Sequence, residues 1–414
     1  MSVNDRRGPQ DAMGDSDSAG SGRVAGDGTS AGTMVFVLGM MAFWCNGDNY
    51  AASPLIVEIA KDLHLKISQA ALSVTAYMLP FGLFTLLFGP LGDRFGKARV
   101  INFAAFGTAI FSALGAAAFD LTSLSIIRAV NGAFAAAILP VTMSLVGDRF
   151  GHDPKEVQNA LGKVLGMMFL GGAAATAIGG ALAYLGSWRL VYLVYGIAEV
   201  ILAFLMLRVL ERQPGTVAKF DLRTAYQTAF ANPALLKTVS IIFLVGAAVF
   251  GSFTYAGKFV ETRTGYNILL VGLILTSFGV ATVVGGRKAG VLRQRLGNKL
   301  LLLAGIVACV SWALMGAWRS PVLLCVSLAG FGLGFIMIQP TLIATAQQLM
   351  PMRRGTVMSL ASFNMFVGGG IGTFVNGRVL DAWGFEPVFI VAAALILVAG
   401  VVAAALLHRL ARSH

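Results

Sequence analysis

The chain has 414 residues, of which 57% are apolar and 12% charged, and it contains 50 glycines. Soluble globular domains carry about 25% charged residues, so the composition excludes an ordinary soluble domain. Because a membrane-spanning helix needs roughly 20 apolar residues, the chain can supply about a dozen spans. The net charge of +12 would fit a polyanionic partner such as nucleic acid, but it also fits the excess of Lys and Arg in cytoplasmic loops of membrane proteins.

The hydropathy pattern divides the chain into a tail and two groups of apolar runs. Residues 1–32 are rich in Gly, Ser and Asp and lack the order of a signal peptide, which predicts a disordered cytoplasmic tail. Six runs follow within 33–210 and six within 237–414, separated by a polar cytoplasmic linker, 211–236, in which we expect an interfacial helix. The runs lie at 34–58, 69–91, 99–118, 121–147, 158–184, 188–208, 238–260, 266–286, 300–318, 321–349, 356–380 and 387–407.

The distribution of basic residues predicts the orientation of these spans. If the N-terminus is cytoplasmic, 22 of the 31 Lys and Arg fall in cytoplasmic segments, 7 in outer loops and 2, Arg128 and Lys163, within runs. The positive-inside rule then predicts that both termini lie in the cytoplasm. We expect the chain to lie in the inner (plasma) membrane of the cell. The charge of +12 thus indicates orientation in a membrane, and we expect no nucleic-acid partner.

Two internal matches relate the halves. The segment Gly89–Gly96 after the second run aligns without a gap with Gly290–Gly297 after the eighth, and Phe169–Val194 aligns with Phe366–Val391. We therefore predict an all-α integral membrane protein of 12 transmembrane helices, arranged as two parallel six-helix repeats. Such repeats are typical of secondary transporters that bind substrate between their halves.

The loop GPLGDRFGKAR at 89–99 lies between the second and third runs. Its glycines permit a tight turn and close helix approach, and its acid can cap the next helix or pair with a base. A solvated turn with positive-inside charges would have the same composition. The loop resembles the signature of the major facilitator superfamily, and the pattern of the whole chain is similar to its twelve-span drug:proton antiporter branch. The resemblance implies a gating role for Gly89, Asp93, Arg94, Gly96, Lys97 and Arg99.

Three charges within the runs are candidates for proton coupling. Asp48 lies in the polar segment 44–50 of the first run, and a carboxylate near the membrane midplane must be protonated, paired or in contact with water. Arg128, with Asn131, resembles the family's RxxxG signature, whose arginine is tied to proton coupling. Glu199 lies in the sixth run. The structural alternatives are an ion pair for Asp48, snorkelling for Arg128 and packing for Glu199.

The fifth run resembles the family's antiporter signature in the spacing of its glycines. It departs from that signature at Ala175 and Thr176, where a helix-bending Gly-Pro is expected, and this departure weakens the inference of export. Small residues spaced four apart allow close helix contact, so a packing role is equally expected. The packing candidates are Gly132, Gly171, Gly179 and Gly180.

The substrate candidates are mostly neutral side chains. They suit a hydrophobic or amphipathic compound better than a sugar or a phosphate, although any one of them could simply pack the bundle. Asn46 and Asp48 are about 200° apart on an ideal helix, so both face a cavity only if Gly47 loosens the turn. The candidates are Asn46, Asn49, Tyr77, Thr254, Tyr255, Gln339 and Asn364.

These observations predict a secondary active transporter that exports a small amphipathic or drug-like compound in exchange for protons by alternating access. The alternatives are an uptake or facilitated-diffusion permease for a small organic metabolite, and a membrane sensor without transport. An enzyme is not expected, because the sequence has no nucleophile–base pair, phosphate-binding loop or metal cluster. The expected partners are the substrate, protons and the lipid bilayer, with a monomeric chain that needs no cofactor and no metal.

Overall fold

The computed structural model of the chain describes residues 27–150, 153–211, 214, 222–317 and 319–411, and the regular elements in these ranges are helical. Two short 3₁₀ turns, Gly115–Ala117 and Pro351–Arg353, accompany the α-helices. The α-helices are α1 (Asp27–Asp62), α2 (Ile67–Ala70), α3 (Leu72–Phe95), α4 (Lys97–Leu114), α5 (Leu121–Ala135), α6 (Ile138–Phe150), α7 (Pro154–Leu185), α8 (Trp188–Val209), α9 (Leu222–Phe230), α10 (Pro233–Thr264), α11 (Ile268–Leu296), α12 (Lys299–Met315), α13 (Pro321–Leu349), α14 (Arg354–Trp383) and α15 (Phe385–Leu410).

Each predicted run lies mainly in helix, but the second run is divided between α2 and α3 and the fourth between α5 and α6. The helix α9 lies in the predicted linker, of which residues 212, 213 and 215–221 are outside the described ranges. The helix α1 begins at Asp27, inside the predicted tail, whose residues 1–26 are also outside those ranges.

Within the described ranges, ten helical segments are long and apolar enough to cross a membrane. The helix α12 is apolar but shorter, with 17 residues, and α1, which carries the polar segment 44–50, is not among the ten. Many large apolar side chains are exposed on the outside of the bundle, including Phe103, Ile126 and Val326. Exposed apolar surface of this extent is expected where a protein faces lipid.

Polar residues in the connections define several helix starts. Asp120 accepts a hydrogen bond from the backbone N–H of Ser123 at 2.7 Å and caps α5, and Asn232 accepts from two backbone N–H groups before α10 begins at Pro233. Such side chains satisfy N–H groups that have no partner inside the helix. Proline is favoured at the next position because it has no N–H to lose.

Each half has its own apolar core. One cluster of buried residues draws almost entirely on α1 to α8, and a second draws on α9 to α15. Within the halves, α1 packs on α7 and α10 packs on α14, while α3 with α14 and α7 with α11 form the main contacts between halves. The chain therefore folds as two bundles that meet along a shared interface.

Hydrogen bonds join the halves toward one end of the bundle, and a cavity lies between them toward the other. We call the end where α1 begins and α3 ends the near end, and the end where α1 ends at Asp62 the far end. Toward the far end, Ser53 donates to the carbonyl oxygen of Phe253 at 2.7 Å, and Ser68 donates to Asp381 at 2.8 Å. Toward the near end, a cavity separates α6 from α13. The structure is thus closed at the far end between the halves.

Candidate functional site

The first half contains a buried ion pair between α1 and α5. The Nη1 atom of Arg128 donates to Oδ2 of Asp48 at 2.6 Å, and the two residues are 1% and 4% exposed. Asn131, one turn after Arg128, donates to the same Asp48 oxygen at 3.3 Å. Two charges removed from water require such close pairing, since an unpaired charge there costs several kcal/mol.

Aromatic rings and a hydroxyl enclose this pair. The guanidinium of Arg128 lies over the ring of Tyr77 at 4.1 Å and near that of Tyr192 at 5.5 Å, an arrangement that stabilises a cation by its interaction with the ring faces. Thr108 of α4 donates to Oδ1 of Asn131 at 3.2 Å, which orients the amide nitrogen toward Asp48. Four helices therefore fix the position of one carboxylate.

Glu199 of α8 lies in the same cluster. It is fully buried close to Thr108, Asp48 and Arg128, and it forms no ion pair within the described part of the chain. The hydroxyl of Tyr195, one helical turn earlier, has no hydrogen-bond partner there. The cluster thus holds two carboxyl groups and one arginine, and the arginine pairs directly with only one of them.

A cavity of about 330 Å³ lies between the halves beside this cluster. Residues of α1, α3, α6 and α7 line one side, and residues of α10, α13 and α14 line the other. The lining is predominantly apolar and aromatic, with a few amides and hydroxyls. Its polar and aromatic members are Asn46, Asn49, Tyr50, Tyr77, Phe81, Thr85, Phe169, Phe250, Phe335, Gln339, Gln347, Ser362 and Phe366.

Four of the seven predicted substrate residues line this cavity. They are Asn46, Asn49, Tyr77 and Gln339. The helix α1 is continuous through Gly47, so Asn46 and Asp48 point to different neighbours. Asn46 donates to the carbonyl oxygen of Met168 at 2.9 Å, whereas Asp48 faces α5.

The other three predicted substrate residues are held elsewhere. Thr254 donates to a carbonyl oxygen of its own helix at 2.8 Å, and Tyr255 donates to the carbonyl oxygen of Thr373 at 2.6 Å, between α10 and α14. Asn364 donates to the carbonyl oxygen of Leu360 at 2.8 Å. None of the three is in the lining of the cavity.

The predicted gating loop is a tight connection between α3 and α4. Gly96 has a φ of 90°, a conformation that side chains with a Cβ rarely adopt. Lys97 pairs with Asp93 at 3.8 Å and with Asp148 of α6 at 2.6 Å. Gly96 is the residue before α4 and has no side chain to cap the helix, and Asp93 pairs with a base, Lys97, in the first turn of α4. Arg94 lies over the ring of the next residue, and Arg99 is exposed.

The predicted packing glycines lie where helices cross. A Cβ on Gly171 would overlap the carbonyl oxygen of Phe43, and one on Gly132 would overlap that of Tyr77. A Cβ on Gly180 would lie 2.7 Å from the carbonyl oxygen of Ile268, at the contact of α7 with α11 between the halves. A Cβ on Gly179 would meet that of Ala51 at 3.3 Å.

A second charged group joins the halves at the far end. Lys61 of α1 pairs with Glu261 of α10 at 2.9 Å and with Glu58 at 3.0 Å, and Lys258 pairs with Glu261 at 2.6 Å. Lys61 and Glu261 are 200 residues apart in the sequence, so this ion pair joins the two halves. We call these four residues the far-end quartet. The sequence contains an acid and a base of this quartet at the end of α1 and another of each at the end of α10, but it does not show that these helix ends are in contact.

Aromatic rings from both halves stack at the centre of the cavity, and this pairing could not be predicted from the sequence. Phe81 of α3 stacks on Phe366 of α14 with ring centroids 3.8 Å apart, and Phe250 of α10 stacks on the same ring at 5.7 Å. Phe occurs 28 times in the chain, so composition alone does not distinguish rings of the cavity from rings that face lipid or fill the cores.

Sequence comparison relates the chain to known transporters. The family model of the Major Facilitator Superfamily matches residues 33–373. The uncharacterized MFS-type transporter YceJ of Bacillus subtilis (strain 168) is 23% identical over 355 residues, covering 83% of this chain and 87% of the relative. The puromycin resistance protein pur8 of Streptomyces alboniger is 26% identical over 398 residues, covering 80% and 78% of the two chains. A probable sugar efflux transporter of Helicobacter pylori (strain J99 / ATCC 700824) is 25% identical, covering 88% and 93%.

Solved structures share the same fold. The nucleoside transporter NupG superimposes with a TM-score of 0.75 at 14% identity, covering 90% of this chain and 99% of the other. A bacterial homolog of the human lysosomal transporter Spinster gives 0.73 at 16% identity, covering 91% and 97%. The family and these relatives are transporters and not enzymes, and the match extends over most of the sequence. The chain therefore belongs to the Major Facilitator Superfamily of membrane transporters.

Proposed function

We propose that the chain is a secondary active transporter that exports a small amphipathic compound in exchange for protons. It spans the inner membrane twelve times as a monomer, with both termini in the cytoplasm, so that the near end faces the cytoplasm. The ten apolar helices support ten of these spans, and α1 and α12 supply the other two. Orientation follows from the excess of basic residues in the segments at the near end.

The observation that carries this proposal is the buried cluster of Asp48, Arg128 and Glu199 next to the cavity. Two carboxylates and one guanidinium are electrically balanced only when one carboxyl group is protonated. Because an unpaired buried charge costs several kcal/mol, the cluster holds one proton in this state. The group paired with Arg128 is Asp48, so Glu199, which forms no ion pair in the described ranges, carries the proton.

This arrangement provides a route for coupling. Movement of α1 relative to α5 separates Asp48 from Arg128, which favours protonation of Asp48 when the cluster is open to the outside. Return to the state described here restores the ion pair at 2.6 Å and releases that proton to the cytoplasmic side. Each cycle then carries a proton inward while substrate bound in the cavity leaves outward.

The ends of the bundle determine which orientation is stable. The far-end quartet and the hydrogen bonds of Ser53 and Ser68 hold the outer end closed. At the other end, Lys97 of the loop 89–99 joins α4 to Asp148 of α6, a contact that stays within the first half. The transport cycle requires the outer contacts to break before substrate can leave.

The proposal can be tested by growth of an overexpressing strain against a panel of toxic compounds, with and without an uncoupler. Export predicts protection that is lost with the uncoupler and in Asp48→Asn. The matched control is Glu386→Gln, which changes an exposed carboxylate at the far end. Accumulation of a compound inside the cells would instead establish uptake, which the Ala175–Thr176 departure from the antiporter signature favours. Binding without flux in either direction would identify a sensor.

A further inference from the structure

The cavity contains a ladder of aromatic rings contributed by both halves. The rings of Phe81, Phe366 and Phe250 are stacked, with interplanar angles of 29° and 16°, and Tyr50 contacts Phe250 edge-on at 5.6 Å. All four rings line the cavity. Offset stacking of this kind gains about 0.5–1.5 kcal/mol per pair beyond the burial of apolar area. A planar aromatic ligand can extend this ladder.

One amide of the lining has no hydrogen-bond partner. Asn49 precedes Tyr50 in α1 and is 6% exposed, and neither Nδ2 nor Oδ1 bonds to any described residue. The Oε1 atom of Gln339, on the opposite half, is also buried and has no hydrogen-bond partner among the described residues. Buried polar groups are usually satisfied, and an unsatisfied one costs about 1–3 kcal/mol. A carboxamide with a free donor beside a free acceptor is complementary to the cis-amide edge of a lactam.

The lining contains no charged side chain among the described residues. The nearby acid, Asp48, is neutralised by Arg128 and turned toward α5. A charged ligand would therefore lose its hydration without gaining a counter-ion, which is strongly unfavourable. An uncharged ligand avoids this cost.

We propose that the cavity binds uncharged, planar aromatic compounds with a lactam-type edge, whose ring packs against the aromatic ladder and whose edge pairs with the carboxamide of Asn49. The inference refines the substrate class of the transporter proposed above and rests on that function. Stacking supplies affinity for flat rings in general, and Asn49 selects among them.

Two fluorescent probes of nearly identical shape test this pairing. The lactam 7-amino-4-methyl-2-quinolinone has an N–H next to its carbonyl group, whereas the lactone 7-amino-4-methylcoumarin has a ring oxygen there. Binding to the purified full chain in detergent is followed by quenching of tryptophan emission. We expect the lactam to bind about tenfold more tightly than the lactone, because the lactone leaves Oδ1 of Asn49 without a donor. The cation N-methylquinolinium should bind at least tenfold more weakly than the lactam.

Variants assign the selectivity to Asn49. Asn49→Leu should bind both probes with the same affinity. The control is Asn102→Leu: Asn102 is also a buried amide whose oxygen has no partner among the described residues, but it lies outside the cavity lining, so this variant should still prefer the lactam. Equal binding of the two probes to the unaltered protein, absence of binding, or retained preference in Asn49→Leu would each overturn the proposal. Because the unaltered protein is itself compared with two probes, a folding defect in a variant does not remove the test. The measurement requires no proton gradient, so its failure is separate from a failure of coupled export.

Discussion

Reversal of the charge at Lys61 tests whether the far-end quartet holds the halves together. The side chain of Lys61 is 55% exposed, and it pairs across the halves with Glu261 at 2.9 Å. Exposed ion pairs contribute about 0.2–1 kcal/mol. Lys61→Glu replaces one attraction between the halves by a repulsion, so the orientation closed at the far end should lose about 1 kcal/mol. This corresponds to about a fivefold shift of the equilibrium toward the open orientation.

The shift can be measured by pulsed electron paramagnetic resonance. Nitroxide labels at Lys66 and Tyr266, which are exposed at the far ends of the two halves, report the separation after the native cysteines are replaced. Lys61→Glu should increase the population with the longer distance, and high salt should reduce the difference by screening. The double variant Lys61→Glu, Glu261→Lys restores the pair and should restore the original distribution. An unchanged distribution in the single variant, or no recovery in the double variant, would refute the role of the quartet.

Three further predictions follow from local geometry. Gly171→Ala should lower the melting temperature by several degrees, because its Cβ would overlap a backbone carbonyl oxygen of α1 and overpacking costs about 1–3 kcal/mol. The control is Gly162→Ala in the same helix, which has open space around it and should leave the melting temperature unchanged. Equal effects of the two substitutions would contradict this explanation. Hydrogen bonds from Arg189 and from the adjacent Trp188 keep the pKa of Asp62 below its usual value. Asp62→Asn should therefore destabilise the protein at neutral pH, and the difference in stability between the unaltered protein and the variant should disappear as the pH falls through the lowered pKa of Asp62. A stability difference that persists in strong acid would show that it does not arise from ionisation of Asp62. Gly96→Ala should cost about 1 kcal/mol in thermal stability because φ is 90° there, and an unchanged melting temperature would show that the turn can relax.

The positions of most helices could be predicted from the sequence. Long apolar runs separated by polar turns leave few other possibilities in a membrane, because every backbone group must be bonded within the segment. Two details could not be predicted. The second run is interrupted at Ala71, and the fourth breaks between Ala135 and Ile138, within a uniformly apolar stretch. The helix α1 extends back to Asp27 through residues whose composition is typical of a disordered tail.

The candidate site could be predicted only in part. The charges of Asp48, Arg128 and Glu199 are conspicuous in apolar runs, but their juxtaposition depends on how α1, α5 and α8 are rotated about their axes. Hydropathy does not determine that rotation, because both lipid and protein interior select apolar residues. The same ambiguity explains why Thr254 and Tyr255 lie between α10 and α14 and not in the cavity.

Proton movement in proteoliposomes tests whether Asp48 couples transport to protons. The purified chain is reconstituted with a pH-sensitive dye inside the vesicles, and a compound selected by the growth screen is added. We expect the compound to drive proton movement with the unaltered chain and with Glu386→Gln, whereas Asp48→Asn should still bind the compound but move no protons. Substrate-driven proton movement that persists in Asp48→Asn would contradict the assignment of coupling to the pair of Asp48 and Arg128.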